Sequence, residues 1–387
     1  MSIFPRRRTF LANAVVTAAF GLAFAARLAA QSIPARLADT TFWRLVNEFS
    51  EPGGFFRSDN FVSNETSFQW VIPELQATVK PGGVYVGVAP DQNFTYLVAL
   101  KPKIAFIVDI RHQNAIQHLM YKALIELSPD RAEFVSRLFS RPRPPGLDST
   151  ASAVALFQAI GPVFPDSALF RKNLEAIKER LMKVHGFVLN DEELKSLAYV
   201  YHAFYESGPD LTYNFGGSGG YGGYGRGSFM PTYQALMMEA DGAGQQRSYL
   251  ATEANYRALK DLEERNLIVP LTGNFAGDKA LRAVGQWVRD RGARVTAFYT
   301  SNVEQYLFQS PDEWSRFYKN VATLPIDSTS TFIRSYSMNR YTGTDQFRQQ
   351  SPNSRSLQLI SSIAELLKIF GEGNLQGYFQ VIQLSHQ

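Results

Sequence analysis

The 387-residue chain has no cysteine. Disulfide staples, zinc–thiolate sites, iron–sulfur ligation and thiol nucleophiles are therefore excluded, and burial and hydrogen bonding must hold the fold. Histidine is scarce, with five in the chain. There is no H-E-x-x-H, and His112 and His118 are too far apart to share adjacent turns of one helix face, so no metal is expected. A Ser-His-Asp triad has no G-x-S-x-G elbow at a strand-to-helix turn to support it, the match at 216–220 lying in a glycine-rich run, which leaves an exported hydrolase with the least support. Nor is there an excess of one charge once the N-terminus is set aside. Of the 39 basic residues, Arg6, Arg7, Arg8 and Arg27 precede Gln31, and none of the 35 acidic ones does, so the remainder is formally neutral. With no basic cluster, a nucleic-acid surface is not expected.

What is present at the N-terminus is an address. Arg6, Arg7 and Arg8 lead into Thr9, Phe10 and Leu11, an R-R-x-F-L pattern, followed by an alanine-rich apolar run and the small residues Ala29 and Ala30. This is the basic, apolar, small-residue order of a secretory signal, and the arginine pair favours the bacterial twin-arginine (Tat) route. The apolar run is too short and too rich in alanine for a membrane span. The expectation is an exported, periplasmic protein that meets the Tat machinery and has no stable membrane span once mature.

Beyond the address, residues 31–127 read as N-terminal helices followed by a strand–helix–strand–helix series. The β-rich runs 84–88 and 104–108 are buried parallel strands on this reading. Residues 50–65 form a loop dense in Gly, Asn and Ser that also carries Phe55, Phe56 and Phe61, so it is expected to pack over something. Residues 128–247 read as a mainly helical insertion. Its glycine-rich stretch 216–227 is either a mobile loop or a lid that brings Tyr221 and Tyr224 to a ligand. The α/β rhythm returns over 248–387, with strands predicted at 266–271, 294–299, 331–336 and 378–384 and a helix over 354–370. The fold class expected is α/β, a Rossmann-like, mostly parallel sheet with helices on both faces and a helical insertion.

In such sheets ligands bind beyond the carboxyl ends of the strands. That directs attention to four loops, 89–93, 109–112, 273–277 and 300–304. Asp109 ends the second strand, where a dinucleotide fold places an acid for ribose hydroxyls. It could equally pair with Arg111 or cap the next helix. The first loop is not G-x-G-x-x-G. After Gly87 come Val88, Ala89, Pro90 and Asp91, and Asp91 would repel a pyrophosphate, so NAD is disfavoured and a ligand with a positive centre is tolerated.

The order of the Gly87 loop, the Asp109 strand end, the Gly273-Asn274 loop and the Ser301-Asn302 loop resembles class I S-adenosylmethionine-dependent methyltransferases. The segment FYTSNVEQYL at 298–307 is similar to the fourth-strand segment of some of them. The stretches FSEPGGFFRSDNFVSNE at 49–65 and GGVYVGVAPDQNFTYL at 82–97 resemble a family of uncharacterised exported bacterial proteins, with no reaction attached. The first resemblance implies S-adenosylmethionine as cofactor, held by Gly87, Asp91, Asn93 and Asp109 together with Arg111. Gly273 and Asn274 would border adenine, and Ser301 the transferred group. Asn302, Tyr306 and the 49–65 loop would face the acceptor, with Glu65 or Glu304 as base. The alternative is a non-catalytic periplasmic protein that binds a small molecule on the same scaffold.

Overall fold

The structure is a computed structural model that describes residues 32–213, 215, 230–337 and 356–386. The N-terminal segment expected to be an export signal and the 216–227 stretch with Tyr221 and Tyr224 lie outside these residues. Strands β1 (Val84–Gly87), β2 (Ile104–Asp109), β3 (Ile268–Thr272), β4 (Val295–Ser301), β5 (Thr331–Ser337) and β6 (Ser356–Ser362) form one sheet in the order 3-2-1-4-5-6. The first five are parallel and β6 is antiparallel to β5. The fold is thus α/β and Rossmann-like, with the strand order reversing between β1 and β4.

The central strands are apolar throughout because both of their faces are covered. VYVG and IAFIVD are buried at every position, as parallel strands between helical layers must be. On one side lie helices Asp39–Phe49, Ala280–Asp290 and Glu313–Val321, where Phe49 and Trp287 both pack on Phe106. On the other side lie Gln92–Leu100, His112–Leu127 and Glu253–Glu264. Full burial of each such side chain contributes about 1.5–3 kcal/mol. No described helix is long and apolar enough to cross a membrane.

The insertion stands between His112–Leu127 and Glu253–Glu264. Its helices Arg131–Leu138, Ser167–Glu179 and Asp191–Ser207 pack on the outer side of His112–Leu127, which explains why that helix is buried nearly all round. Asp191–Ser207 starts at a capping box between Asn190 and Glu193, which satisfies backbone donors at both residues.

His185 ties the insertion to the core. Its Nδ1 meets Asp39 Oδ1 at 2.8 Å and its Nε2 meets Glu126 Oε2 at 2.7 Å. Burial opposes the charge on the ring, but the hydrogen bonds and charges of Glu126 and Asp39 outweigh it and raise the pKa. A raised pKa adds stability that is complete below the ordinary value of 6.5 and disappears as pH rises through the folded value. Asp39 is partly exposed, which keeps that loss small. Urea unfolding at about pH 6 and about pH 9 should show it, and His185→Gln should remove the difference.

The C-terminal elements differ from expectation. The predicted helix over 354–370 is strand β6 followed by helix Ile363–Gly371, and the predicted strand over 378–384 is helix Tyr378–Gln383. Leu357 and Leu359 alternate along β6 and meet Tyr336 and Ile382 in a small separate core. Pairing along the whole of β5 overrides the helical spacing. Beyond β6 an isolated antiparallel bridge between Ile360 and His386 continues the sheet.

Candidate functional site

A cavity of about 310 Å³ opens at the carboxyl ends of β1 to β4. It reaches each of the four strand-end loops, and residues 50–65 form another wall, contributing Phe55, Phe56, Asn60, Ser63, Asn64 and Glu65. That segment is anchored by backbone bonds, Glu51 N–H to the Thr272 carbonyl and Gly54 N–H to the Ile110 carbonyl, each 2.8 Å.

The loop after β1 turns tightly, with Ala89 at φ 68°. Asn93 holds it from below. Its amide nitrogen donates to the carbonyls of Val88 (2.8 Å), Ala89 (3.2 Å) and Pro90 (2.7 Å), and its oxygen accepts from the Tyr85 hydroxyl at 2.9 Å. A Cβ at Gly87 would lie 2.0 Å from that oxygen, so close packing alone requires glycine there. Asp91 turns inward to accept from Tyr249 at 3.0 Å. Gly87, Asp91 and Asn93, expected to touch a cofactor, instead shape the loop, and only Val88 and Ala89 from this stretch line the cavity.

Asp109 and Arg111 both reach the cavity, and they are paired. Asp109 Oδ1 accepts from the Arg111 backbone N–H (2.9 Å) and Nε (3.1 Å), and Oδ2 accepts from Nη2 (2.9 Å). Arg111 Nη1 donates to the Asp59 carbonyl, and the guanidinium lies 5.9 Å from the Phe56 ring centre. A carboxylate oxygen takes about two donors, so Oδ2 keeps one position for a ligand.

At the third loop Gly273 and Asn274 line the cavity. A Cβ at Gly273 would sit 2.4 Å from that of Ala280. Glu51 occupies the start of the following helix and accepts from the N–H groups of Lys279 and Ala280, both at 2.7 Å. That carboxylate occupies the place where a phosphate would sit.

At the fourth loop Ser301, Asn302 and Tyr306 line the cavity, and Glu304 does not. Glu304 is sealed in an ion pair with Arg334 and accepts from Tyr318 at 2.5 Å. Glu304, expected as a base, is thus buried and lies outside the cavity lining.

Glu65 lies on the cavity floor, nearly inaccessible to solvent. Its Oε2 accepts from Tyr299 (2.8 Å), Gln92 (2.9 Å) and Gln358 (3.1 Å), and Oε1 accepts from Ser301. Burial pushes this carboxyl above its ordinary range, and the four donors pull against that. Gln92, Tyr299 and Gln358 were not foreseen from the sequence. Neither was Tyr213, which borders the cavity.

Fold and cavity together define an α/β protein of the doubly wound class with a strand-end cavity. A family model described as a domain of unknown function (DUF7790) matches residues 60–144 and 221–374, well over half the chain. The chain belongs to that family. The unmatched middle contains three helices of the insertion, Ala153–Ile160, Ser167–Glu179 and Asp191–Ser207. No curated protein matches the chain.

Proposed function

We propose that the strand-end cavity binds a nucleoside with a positive centre, S-adenosylmethionine or a relative, and that the protein is an exported, periplasmic group-transferase acting on a small acceptor. One observation carries the reading. Four strand-end loops and residues 50–65 meet at one cavity whose floor is a buried carboxylate, Glu65. Acidic side chains outnumber basic ones on the lining, with Glu65, Asp109 and Glu313 against Arg111. That balance favours a cation over a phosphate-rich nucleotide, as does the carboxylate of Glu51 at the third loop. When bound, such a ligand supplies a methyl group on a sulfonium.

The chain's own residues divide the work. Asp109 Oδ2 accepts from a sugar hydroxyl, and Asn274 borders the base. Glu65 balances the positive centre, and its raised pKa suits it to take a proton from an acceptor. Phe56 and Tyr306, in edge contact at 5.8 Å, wall the cavity on the acceptor side.

Calorimetry on the mature protein tests this with S-adenosylmethionine and S-adenosylhomocysteine. Both should bind. Glu65→Gln should weaken the sulfonium ligand by roughly tenfold or more, and the uncharged thioether by less. Absence of heat and of any thermal shift with either compound defeats the proposal. A second reading, binding without turnover, is favoured by the Asp109–Arg111 pairing, which leaves the carboxylate little freedom. Under that reading, protein purified from the periplasm carries a small ligand in native mass spectra and shows no transfer.

A further inference from the structure

A second cavity, of about 540 Å³, lies at the opposite end of the sheet from the first. The first sits at the carboxyl ends of the strands. This one is lined by Asn266, just before β3 begins, and by Glu126, at the C-terminal end of helix His112–Leu127. The insertion closes it with Arg180, Val184 and His185.

A local irregularity assembles that insertion wall. Arg180–Val184 is a π-helical turn, and the His185 N–H donates to the Arg180 carbonyl at 3.1 Å. In an α-helix, side chains five apart point roughly 140° away from each other. The wider turn brings Arg180 and His185 to the same cavity. Such turns are rare and are frequent at functional sites.

The charged groups on the lining balance, with Arg36, Arg180 and His185 against Asp39, Glu126 and Glu264. His185 counts as a cation because both ring nitrogens face carboxylates, and both donate only when the ring is protonated. Glu126 is fully engaged, by Lys122 at 2.7 Å and by His185. Other groups keep open capacity. Among the described residues, the Arg180 guanidinium makes no hydrogen bond, and Glu126 Oε2 lies 3.9 Å from its Nε. Arg36 uses Nη2 alone, on the Glu264 carbonyl at 2.9 Å. Asp39 accepts from His185 and Asn266 through Oδ1, which leaves Oδ2 open. The Asp39 and Arg180 side chains are 40% and 31% exposed, so a ligand reaches them from solvent. Asn266 is 3% exposed and donates through Nδ2 to Asp39 and to the Leu37 carbonyl, yet among the described residues its Oδ1 has no partner. A buried acceptor without a donor is uncommon.

Open donors on two arginines and open acceptors on Asp39 and Asn266 thus border one cavity. A simple anion or cation meets repulsion there as well as attraction, whereas a molecule carrying both signs meets each with its opposite. Leu37 and Val184 add apolar surface to the lining. We propose that this cavity is a site for a free α-amino acid, with its carboxylate on Arg36 and Arg180 and its ammonium on Asp39 Oδ2 beside Asn266. The proposal uses none of the residues invoked for the nucleoside cavity and stands or falls separately from it.

Calorimetry on the full mature protein tests it with glycine, L-alanine, L-leucine, L-glutamate and L-lysine. At least one should bind at one per chain. Analogues of that ligand lacking either the amino group or the carboxylate should bind about tenfold more weakly or worse. Arg180→Gln and Asp39→Asn should each weaken the amino acid by a similar factor. Arg180→Gln should leave the melting temperature of the free protein unchanged, because no hydrogen bond is lost, so its effect on binding is not one on folding. Glu65→Gln should bind the amino acid as the parent does. The proposal is overturned if no amino acid in the panel binds, if an analogue with a single charge binds as tightly as its parent, or if Arg180→Gln and Asp39→Asn both bind unchanged.

Discussion

Replacing Glu304 by alanine lowers the unfolding free energy by roughly 3–5 kcal/mol. The size follows from what is left behind. Arg334 is fully buried, and its Nε and Nη2 grip both oxygens of Glu304, with Nη2 to Oε1 at 3.2 Å. Thr300 Oγ1 donates to Oε2 at 3.3 Å, and Arg334 Nη1 donates to Ser361. The group therefore joins β4, β5, β6 and helix Val303–Leu307. Without the carboxylate, a guanidinium stays buried beside Phe332, 4.3 Å from the ring centre, with no countercharge. Removing both charges is a different case. A buried pair replaced by apolar groups of similar volume is often neutral or stabilising, so Glu304→Leu with Arg334→Met should recover most of the loss. A double-mutant cycle by urea unfolding measures both. A single-variant loss below about 1 kcal/mol would show that the pair contributes little.

The same pair shows why the sequence yields some features and withholds others. Strands β1 to β5 are legible because each is a short β-branched or aromatic run bounded by turn residues, and burial between two helical layers demands that composition. β6 is not, because SLQLISS runs into IAELLKIFG with no glycine or proline between them. Its apolar residues fit a helical spacing until the exposed edge of β5 imposes pairing. The loops of the cavity follow from topology alone, since strand ends and the reversal of strand order locate them. Which side chain in a loop faces the cavity does not follow. Asn302 lines it while Glu304, two residues on, turns to Arg334, and Ala89 lines it while Asp91 turns to Tyr249. Asp109 was readable both as a ribose acceptor and as a partner of Arg111, and the structure shows the pairing. The support of Glu65 was out of reach for another reason. Its amide donors Gln92 and Gln358 lie 27 and 293 residues away in sequence, and no local pattern marks them.

Asp91→Asn should stabilise the protein at alkaline pH, by an amount that vanishes in acid. The Asp91 carboxyl is buried, its one side-chain donor is Tyr249, and burial pushes its pKa up from 3.8 to about 7. The unfolded chain releases this proton near 3.8 and the folded chain holds it to about 7. The folded state therefore binds more protons across that window, and stability falls as pH rises through it. Roughly three pKa units at about 1.4 kcal/mol each give a cost on the order of 4 kcal/mol above the window. Asparagine keeps an oxygen for the Tyr249 hydroxyl and has nothing to ionise, so it escapes the cost. In acid both side chains are neutral and the two proteins should unfold at nearly the same urea concentration. A stability gap that is absent in alkali, or that persists unchanged in acid, would show that Asp91 is not the titrating group. Burial is also not the whole environment. Asp91 acts electrostatically on Tyr121, whose hydroxyl is raised first by burial and then by this charge. A carboxylate that costs stability where an amide would serve is better explained by use than by folding.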